Sequence, residues 1–370
     1  MIYSTPLPTG QLAARLEELD GLRDALGGRV GSPSPWLGSL RRLLKASSAE
    51  SSVSIEGYSV AQHEAVAIVS GPKRADAADE SQLALADYAR AMDHVGVMAD
   101  DSVFEWRDRV ILDLHFDACL FQRDTSPGRW RETPIFVTGP AGGIAYEGPA
   151  ADRVVPLMGE VVEWLREGDL EVHVVVRAAM AHLHTISVHP FRDGNGRISR
   201  IVQSLVLARD GLLSPEFASI EEYLGSHTRE YYAALQSAQG GSYQPERDAT
   251  EWVRFCVEAH IEQARRRLEQ LTEAAARWAF LEALVEQRDW PDRLVIALEQ
   301  SLIGRTDRST YQAEADVSVA TVSNDFRRLV DAGLIEQAGR GRSIRYYAGG
   351  ALERDVKSAI AERAKAGDAE

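Results

Sequence analysis

The stretch HPFRDGNGRISR at 189–200 concentrates groups that could do chemistry on a phosphate. His189 titrates near neutrality and can take a proton from a hydroxyl. Gly194, Asn195 and Gly196 permit a tight backbone path with positive φ angles. RISRIVQSLVLARD follows, and its Ile198, Ile201, Val202 and Leu205 recur at helical spacing as a core-facing stripe. The loop therefore opens a helix, with Arg197 and Arg200 in the first turn on the opposite side. Cations are disfavoured there, because the helix dipole already makes that end positive. Two arginines beside glycine-freed amides make sense if an anion sits on them. Asp193 would repel bare phosphate but suits Mg2+, a hard cation that prefers carboxylate and phosphate oxygens. Phe191 is expected to point into the core and anchor the loop.

Helical patterning dominates the elements that must position this loop. Stretches 12–26, 35–48, 81–95, 102–120 and 151–168 repeat apolar residues at helical spacing, with Pro35 near one entrance and Pro156 in or near a first turn. Residues 249–288 predict one or two long helices. TPIFV and GIAYE around GPAGG, within 129–149, predict a β-hairpin or flap. Residues 170–187 are ambiguous, since HVVV favours strand and RAAMAHLH favours helix. DWPDR at 289–293 interrupts the pattern and marks the best domain boundary.

The bulk numbers narrow the function classes. At 370 residues the chain suggests two or three folding units, and 45% hydrophobic with 26% charged residues is ordinary for a soluble protein. A net charge of −15 argues against a mainly electrostatic nucleic-acid binder but allows a local basic patch. Cys119 and Cys256 form no metal-binding or redox spacing and read as buried reduced thiols. No signal peptide or membrane-length apolar run is present, so a cytoplasmic location is expected. There is no P-loop or Rossmann glycine signature. His182 and His184 are two apart and do not converge on one helix face, which reads as core or surface rather than metal.

Every fixed position of H-x-F-x-[D/E]-G-N-G-R-x-x-R is matched, by His189, Phe191, Asp193, Gly194, Asn195, Gly196, Arg197 and Arg200, so the chain resembles the Fic family. The resemblance implies a mainly α fold with a central helix pair carrying the loop and a small β-hairpin flap. It settles 170–187 towards helix. It implies AMP transfer from ATP to a Ser, Thr or Tyr hydroxyl of a protein target, with self-modification as a further outcome. It implies His189 as general base, Asp193 as the Mg2+ ligand, and Gly194, Asn195 and Gly196 as the anion hole. Arg197 and Arg200 are implied to hold the β- and γ-phosphates. The flap would hold the target segment by strand addition. Residues 220–236 resemble the family's helix near the base pocket, and Tyr223, Tyr231, Tyr232 and Leu235 are candidates to line it.

SSVSIEGYSV at 51–60 predicts a short helix, with Ser52 as an N-cap and Gly57 as terminator. Glu56 then lies in the last turn, where a negative charge calls for an outside cation. Ser52, Glu56 and Gly57 match the inhibitory pattern [S/T]-x-x-x-E-[G/N] of the family. On that template Glu56 pairs with Arg200 and blocks the γ-phosphate seat. Some relatives use this glutamate to position water and remove AMP, so a de-AMPylase is a second reading.

Residues 308–350 predict two helices separated by a short turn and then a two-stranded hairpin, which resembles a winged helix-turn-helix domain. Val317, Val322, Phe326, Leu329, Leu334 and Ile335 would form its core. Thr321, Ser323, Asn324, Arg327 and Arg328 of the second helix, and Arg340, Arg342 and Arg345 of the wing, are the candidate DNA contacts. Seven Lys/Arg against six Asp/Glu over 304–346 leave it nearly neutral, which is poor for tight nonspecific binding. Such folds also serve as protein-docking or dimer modules, so DNA or a homodimer partner is admitted. A DNA-binding transcriptional regulator with a nucleotide-sensing Fic domain is the alternative to the autoinhibited enzyme. The expected domains are an N-terminal helical region at 1–100, a catalytic core at 101–275, a helical linker at 276–294, the winged helix at 295–350 and a terminal helix at 351–370.

Overall fold

The computed structural model describes residues 1–69, 75–139, 142–341 and 344–367. It is mainly helical. Its α-helices are α1 (Gln11–Val30), α2 (Leu37–Ser54), α3 (Gln62–Val69), α4 (Glu80–Asp100), α5 (Asp108–Cys119), α6 (Val154–Glu167), α7 (Val174–Val188) and α8 (Asn195–Arg209). They continue with α9 (Pro215–Ala218), α10 (Glu221–Ser226), α11 (Thr228–Gln239), α12 (Thr250–Glu286), α13 (Leu294–Ile303), α14 (Arg308–Ala315), α15 (Val319–Asp331) and α16 (Gly350–Gly367). Two short 3-10 turns (Arg123–Thr125 and Ala151–Arg153) and two antiparallel hairpins complete the regular elements of the described residues: β1 (Phe136–Thr138) with β2 (Ile144–Glu147), and β3 (Ile335–Ala338) with β4 (Arg345–Ala348). No described helix is long and apolar enough to cross a membrane.

The chain divides into two units. One gathers Met1–Gly31, Lys45–Val60 and Ala75–Arg267; the other gathers Ser32–Leu44 and the described residues of 61–74 and 268–370. The first unit is built round α7 and α8, with α4, α5 and α9 packed on α8 and α6 on α7. The ambiguous stretch 170–187 is helical from Val174 onward, and residues 175–188 are buried except for Arg177. Helix α8 is not one-sided as its stripe suggests: residues 197–208 are all buried. Its apolar side carries Ile198, Ile201, Val202 and Leu205. Its polar side is satisfied internally, with Gln203 on His182 at 2.7 Å and Ser204 on Glu221 at 3.1 Å. Burying that many polar groups is tolerable only because they have partners.

Three local expectations are corrected. Residues 102–107 are not helical. The Asp101 carboxylate accepts the Val103 amide at 2.9 Å, a local turn that competes with the helix, and α5 starts only at Asp108. Ser52 does not cap a short helix of its own, because α2 runs through it to Ser54; Gly57, at φ 89°, does end the turn that follows. Residues 220–236 are two helices rather than one, broken at His227.

In the second unit Asp307 caps α14 by accepting the Ser309 and Thr310 amides, and Ser318 caps α15 through the Thr321 amide. Helices α14 and α15 are followed by the β3–β4 hairpin, paired from Ile335↔Ala348 to Ala338↔Arg345. Leu298, Tyr311, Val322, Phe326, Leu329, Ile335 and Tyr346 form its core, and Phe326 stacks on Tyr346 with centroids 4.0 Å apart. Val317 is only partly buried against it.

Candidate active site

The α7 helix ends at His189, which adopts a left-handed conformation at φ 49° and donates its amide to Thr185 O at 3.1 Å. Its Nδ1 lies 3.0 Å from Ile186 O. A carbonyl only accepts, so Nδ1 carries the hydrogen and Nε2 keeps a lone pair. Burial, with a smaller contribution from Arg131, lowers the imidazole pKa to about 4. The side chain is therefore neutral at pH 7 and able to accept a proton.

The loop beyond it is braced from inside. Phe191 is buried and lies flat on His115, with centroids 3.5 Å apart. The Asn195 side chain accepts the Phe191 amide and donates to the Phe191 carbonyl, both at 2.9 Å, so it shapes the loop rather than facing an anion. Gly194 sits at φ 75°, and a Cβ there would lie 2.4 Å from Cys119 Sγ. Only glycine fits both conditions. The first-turn amides of α8, from Asn195 onward, have no intrahelical acceptor and form a positive helix end.

Asp193 keeps its carboxylate half-exposed. One oxygen accepts the Gly194 amide and the other accepts Gln122 Nε2, both at 2.7 Å. Among the described residues no three His, Cys, Asp or Glu side chains converge as a metal site. A metal at Asp193 would therefore need oxygens from a phosphate ligand and water, which matches the chemistry of Mg2+ on a nucleotide.

Arg200 is 2% exposed; its Nε donates to Ser52 Oγ at 2.7 Å and its Nη2 to Glu56 Oε1 at 2.9 Å. Arg197 behaves differently from the expectation that it faces phosphate. It is fully buried, donates to Ala118 O at 3.1 Å and to Gln122 Oε1 at 2.7 Å, and lies over the Phe121 ring. Its Nε is 2.5 Å from Glu56 Oε2 as an ion pair without hydrogen-bond alignment.

His189, Asp193, Gly194, Asn195, Gly196, Arg200 and Glu56 line one cavity of about 790 Å3, of the size that holds a cofactor, and Arg197 is not among its walls. The flap supplies Ile135 to Gly139, Ala145 and Tyr146, and α11 supplies Tyr231, Tyr232 and Leu235. Tyr223 lies elsewhere, stacked on His227 at 4.0 Å, because α10 turns away before α11 begins. Tyr231 is buried with its hydroxyl 3.0 Å from His182 Nε2, whereas Tyr232 is half-exposed.

The flap is tied to the loop. Val137 pairs with Tyr146, whose hydroxyl donates to Ser187 O at 2.5 Å. Arg131 donates to His189 O at 2.7 Å, Thr133 O at 2.8 Å and Pro149 O at 2.6 Å. Gln122, His115 and Arg131 carry no local sequence signal, since each works only through residues distant in the chain.

In the second unit Thr321, Ser323, Asn324, Arg327 and Arg328 lie on α15, with Asn324, Arg327 and Arg328 exposed and Ser323 Oγ donating to Val319 O at 3.1 Å. Arg340 is exposed in the hairpin turn, while Arg345 lies 3.7 Å from Asp307, the residue that caps α14. Arg342 lies outside the described residues.

Residues 106–207 match the Fic/DOC family model. Over 137 residues the chain is 34% identical to protein adenylyltransferase fic-1 of Caenorhabditis elegans, covering 36% of this chain and 24% of that protein. It is 32% identical over 117 residues to a probable protein adenylyltransferase of Aquifex aeolicus, covering 31% of this chain and 32% of the other. The chain thus spans about a quarter to a third of the length of these relatives. A Fic family protein from Desulfovibrio desulfuricans superimposes with a TM-score of 0.59 at 21% identity, over 94% of this chain and 99% of that one. A Fic domain containing signaling protein from Bacteroides thetaiotaomicron gives 0.58 at 18% identity, over 70% and 97%. Both likenesses are of fold. The motif loop at the end of α7, the helix pair that holds it and the match over 106–207 together place a Fic domain in this chain.

Proposed function

We propose that the chain is a protein adenylyltransferase that transfers AMP from ATP to a Ser, Thr or Tyr hydroxyl of a protein target, and to itself, under restraint by Glu56. The observation that carries this is the shared cavity, in which a neutral His189 and the open end of α8 face a guanidinium already taken by Glu56. The target oxygen attacks the α-phosphorus while His189 Nε2 takes its proton. The new O–P bond replaces the bond to the bridging oxygen, and pyrophosphate leaves. The first-turn amides of α8 and Arg200 stabilise the phosphate charge. Asp193 would hold Mg2+ together with phosphate oxygens, and the bound ion supplies charge neutralisation on the triphosphate. Tyr231, Tyr232 and Leu235 form the wall against which the adenine would rest.

Ser52 and Glu56 together supply three acceptors to Arg200, which supports reading Ser52–Gly57 as the brake on the γ-phosphate seat. The catalytic core is taken as 101–275. The second unit's two capped helices and hairpin support a winged-helix module at 295–350 that locates the enzyme on a partner, with Asn324 and Arg327 as the exposed reading face for DNA.

Label transfer from α-³²P-ATP with Mg2+ tests the enzyme reading on wild type, Glu56→Gly, and Glu56→Gly with His189→Ala. Label on Glu56→Gly that vanishes with His189→Ala supports it. No label on any of the three, with ATP bound, overturns it.

A further inference from the structure

Gln122 bridges two charged groups of the motif segment, Arg197 and Asp193. Arginine only donates and a carboxylate only accepts, so its amide orientation is fixed. Oε1 accepts from Arg197 Nη2 at 2.7 Å, and Nε2 donates to Asp193 Oδ2 at 2.7 Å and to Tyr58 Oη at 3.1 Å. The amide bridges the two groups, and Arg197 Nη2 and Asp193 Oδ2 lie 4.0 Å apart, at the outer limit of an ion pair.

Arg197 has a strong reason to close that gap. It is fully buried, and Glu56 is the nearest carboxylate it has, at 2.5 Å against 4.0 Å for Asp193. If Glu56 withdraws to admit ATP, a buried cation loses its counter-ion, which is costly unless another is found. Asp193 is the next one. A direct Arg197–Asp193 pair would neutralise the carboxylate on which a divalent cation depends. A neutral amide meets both groups with hydrogen bonds and adds no charge of its own.

We propose that Gln122 is a positioning residue that keeps Arg197 from closing onto Asp193 in direct contact, and so keeps that carboxylate open to the divalent cation of the nucleotide. This rests on the adenylyltransferase reading above and deepens it. Gln122 touches no reacting atom; it acts through Asp193.

The test measures Mn2+ binding to the full chain by electron paramagnetic resonance, with an ATP analogue carrying a methylene between the α- and β-phosphorus. All variants are made on Glu56→Gly, where the need for separation is greatest. Gln122→Met should weaken Mn2+ in the ternary complex about tenfold, the usual loss when a neighbour of a metal ligand is removed. Adding Arg197→Met should restore most of that loss, because the competing cation is gone. Gln122→Asn keeps the neutral amide but is one methylene too short to span both groups, so it should weaken Mn2+ as Gln122→Met does. That variant also decides the matter if Gln122→Met does not fold. Gln122→Met or Gln122→Asn within about twofold of the parent, or failure of Arg197→Met to restore binding, would each overturn the proposal while leaving the enzyme reading intact. If the Glu56→Gly parent itself binds no Mn2+ with the analogue, the enzyme reading falls, and this inference with it.

Discussion

Glu56 Oε1 accepts Arg200 Nη2 at 2.9 Å, while the other oxygen of the same carboxylate lies 2.5 Å from Arg197 Nε. One side chain therefore compensates two buried cations. Removing it should have two opposite effects. Glu56→Gly is expected to raise AMP transfer about tenfold or more, a change worth ~1.4 kcal/mol in barrier or seat occupancy. The same change should lower stability by about 3 kcal/mol, since it leaves buried charge uncompensated. ATP with Mg2+ should recover part of that loss by supplying anion in place of the carboxylate. Thermal melts with and without ATP would check this: a larger ATP-induced rise in Tm for Glu56→Gly than for wild type is expected.

His189→Ala on the Glu56→Gly background should cut transfer by about 10²–10⁴-fold with ATP binding retained, because the loop is shaped by Phe191 and Asn195 rather than by the imidazole. The pH profile follows from the depressed pKa. With a value of about 4, the imidazole is neutral through pH 6–8, so the base should not limit the rate there. Activity should fall as pH drops through about 4, where Nε2 becomes protonated and can no longer accept. An acid limb near the ordinary histidine value of about 6.5 in kcat/KM, in place of one near 4, would count against the depressed pKa on which this profile rests.

Gly194→Ala should be severe. Its φ of 75° already disfavours a side chain by about 1–3 kcal/mol. The added Cβ would also lie 2.4 Å from Cys119 Sγ and 3.2 Å from His115 Nε2. Relieving the contact with Cys119→Ala should restore only part of the stability, because the backbone term remains. Denaturant unfolding of the single and double variants separates the two contributions.

Acid should unfold the first unit through its histidines. Burial is the leading cause that lowers His115 and His189 to about 4, and His182, His184 and His260 to about 3. The unfolded chain takes up protons near pH 6.5 while the folded chain refuses them. Stability is thus fully present above about pH 6.5 and is lost as pH falls from there toward 3–4, by up to about 1.4 kcal/mol per pH unit for each such group. Replacing His184, whose two ring nitrogens lack hydrogen-bond partners, by Phe should flatten that decline in urea midpoints measured from pH 7 to 5.

What could be read in advance was whatever the chain states locally. His189, Asp193, Gly194, Gly196 and Arg200 stand within twelve residues of sequence, and the loop brings them to one cavity. Glu56 was legible through the match of Ser52, Glu56 and Gly57 to the family's inhibitory pattern, although α2 ends at Ser54 and Glu56 lies in the turn beyond it. Residues whose work is tertiary were not. Nothing in the neighbourhood of Gln122, His115 or Arg131 says that they touch Asp193, Phe191 and the flap. Arg197 and Arg200 look equivalent at a spacing of three, yet only Arg200 reaches the cavity, because α5 covers one side of α8. Tyr223 shares the aromatic character of Tyr231, and the break at His227 alone sets them apart.

Arg131 gives the flap a fixed root. Its guanidinium joins the carbonyls at 133 and 149, on either side of the hairpin, to the carbonyl of His189. The hairpin is therefore clamped to the backbone of the proposed base. A segment bound along its outer edge would be joined to the His189 carbonyl through a single guanidinium. On the proposed function, holding the target and aligning the base would depend on the same side chain.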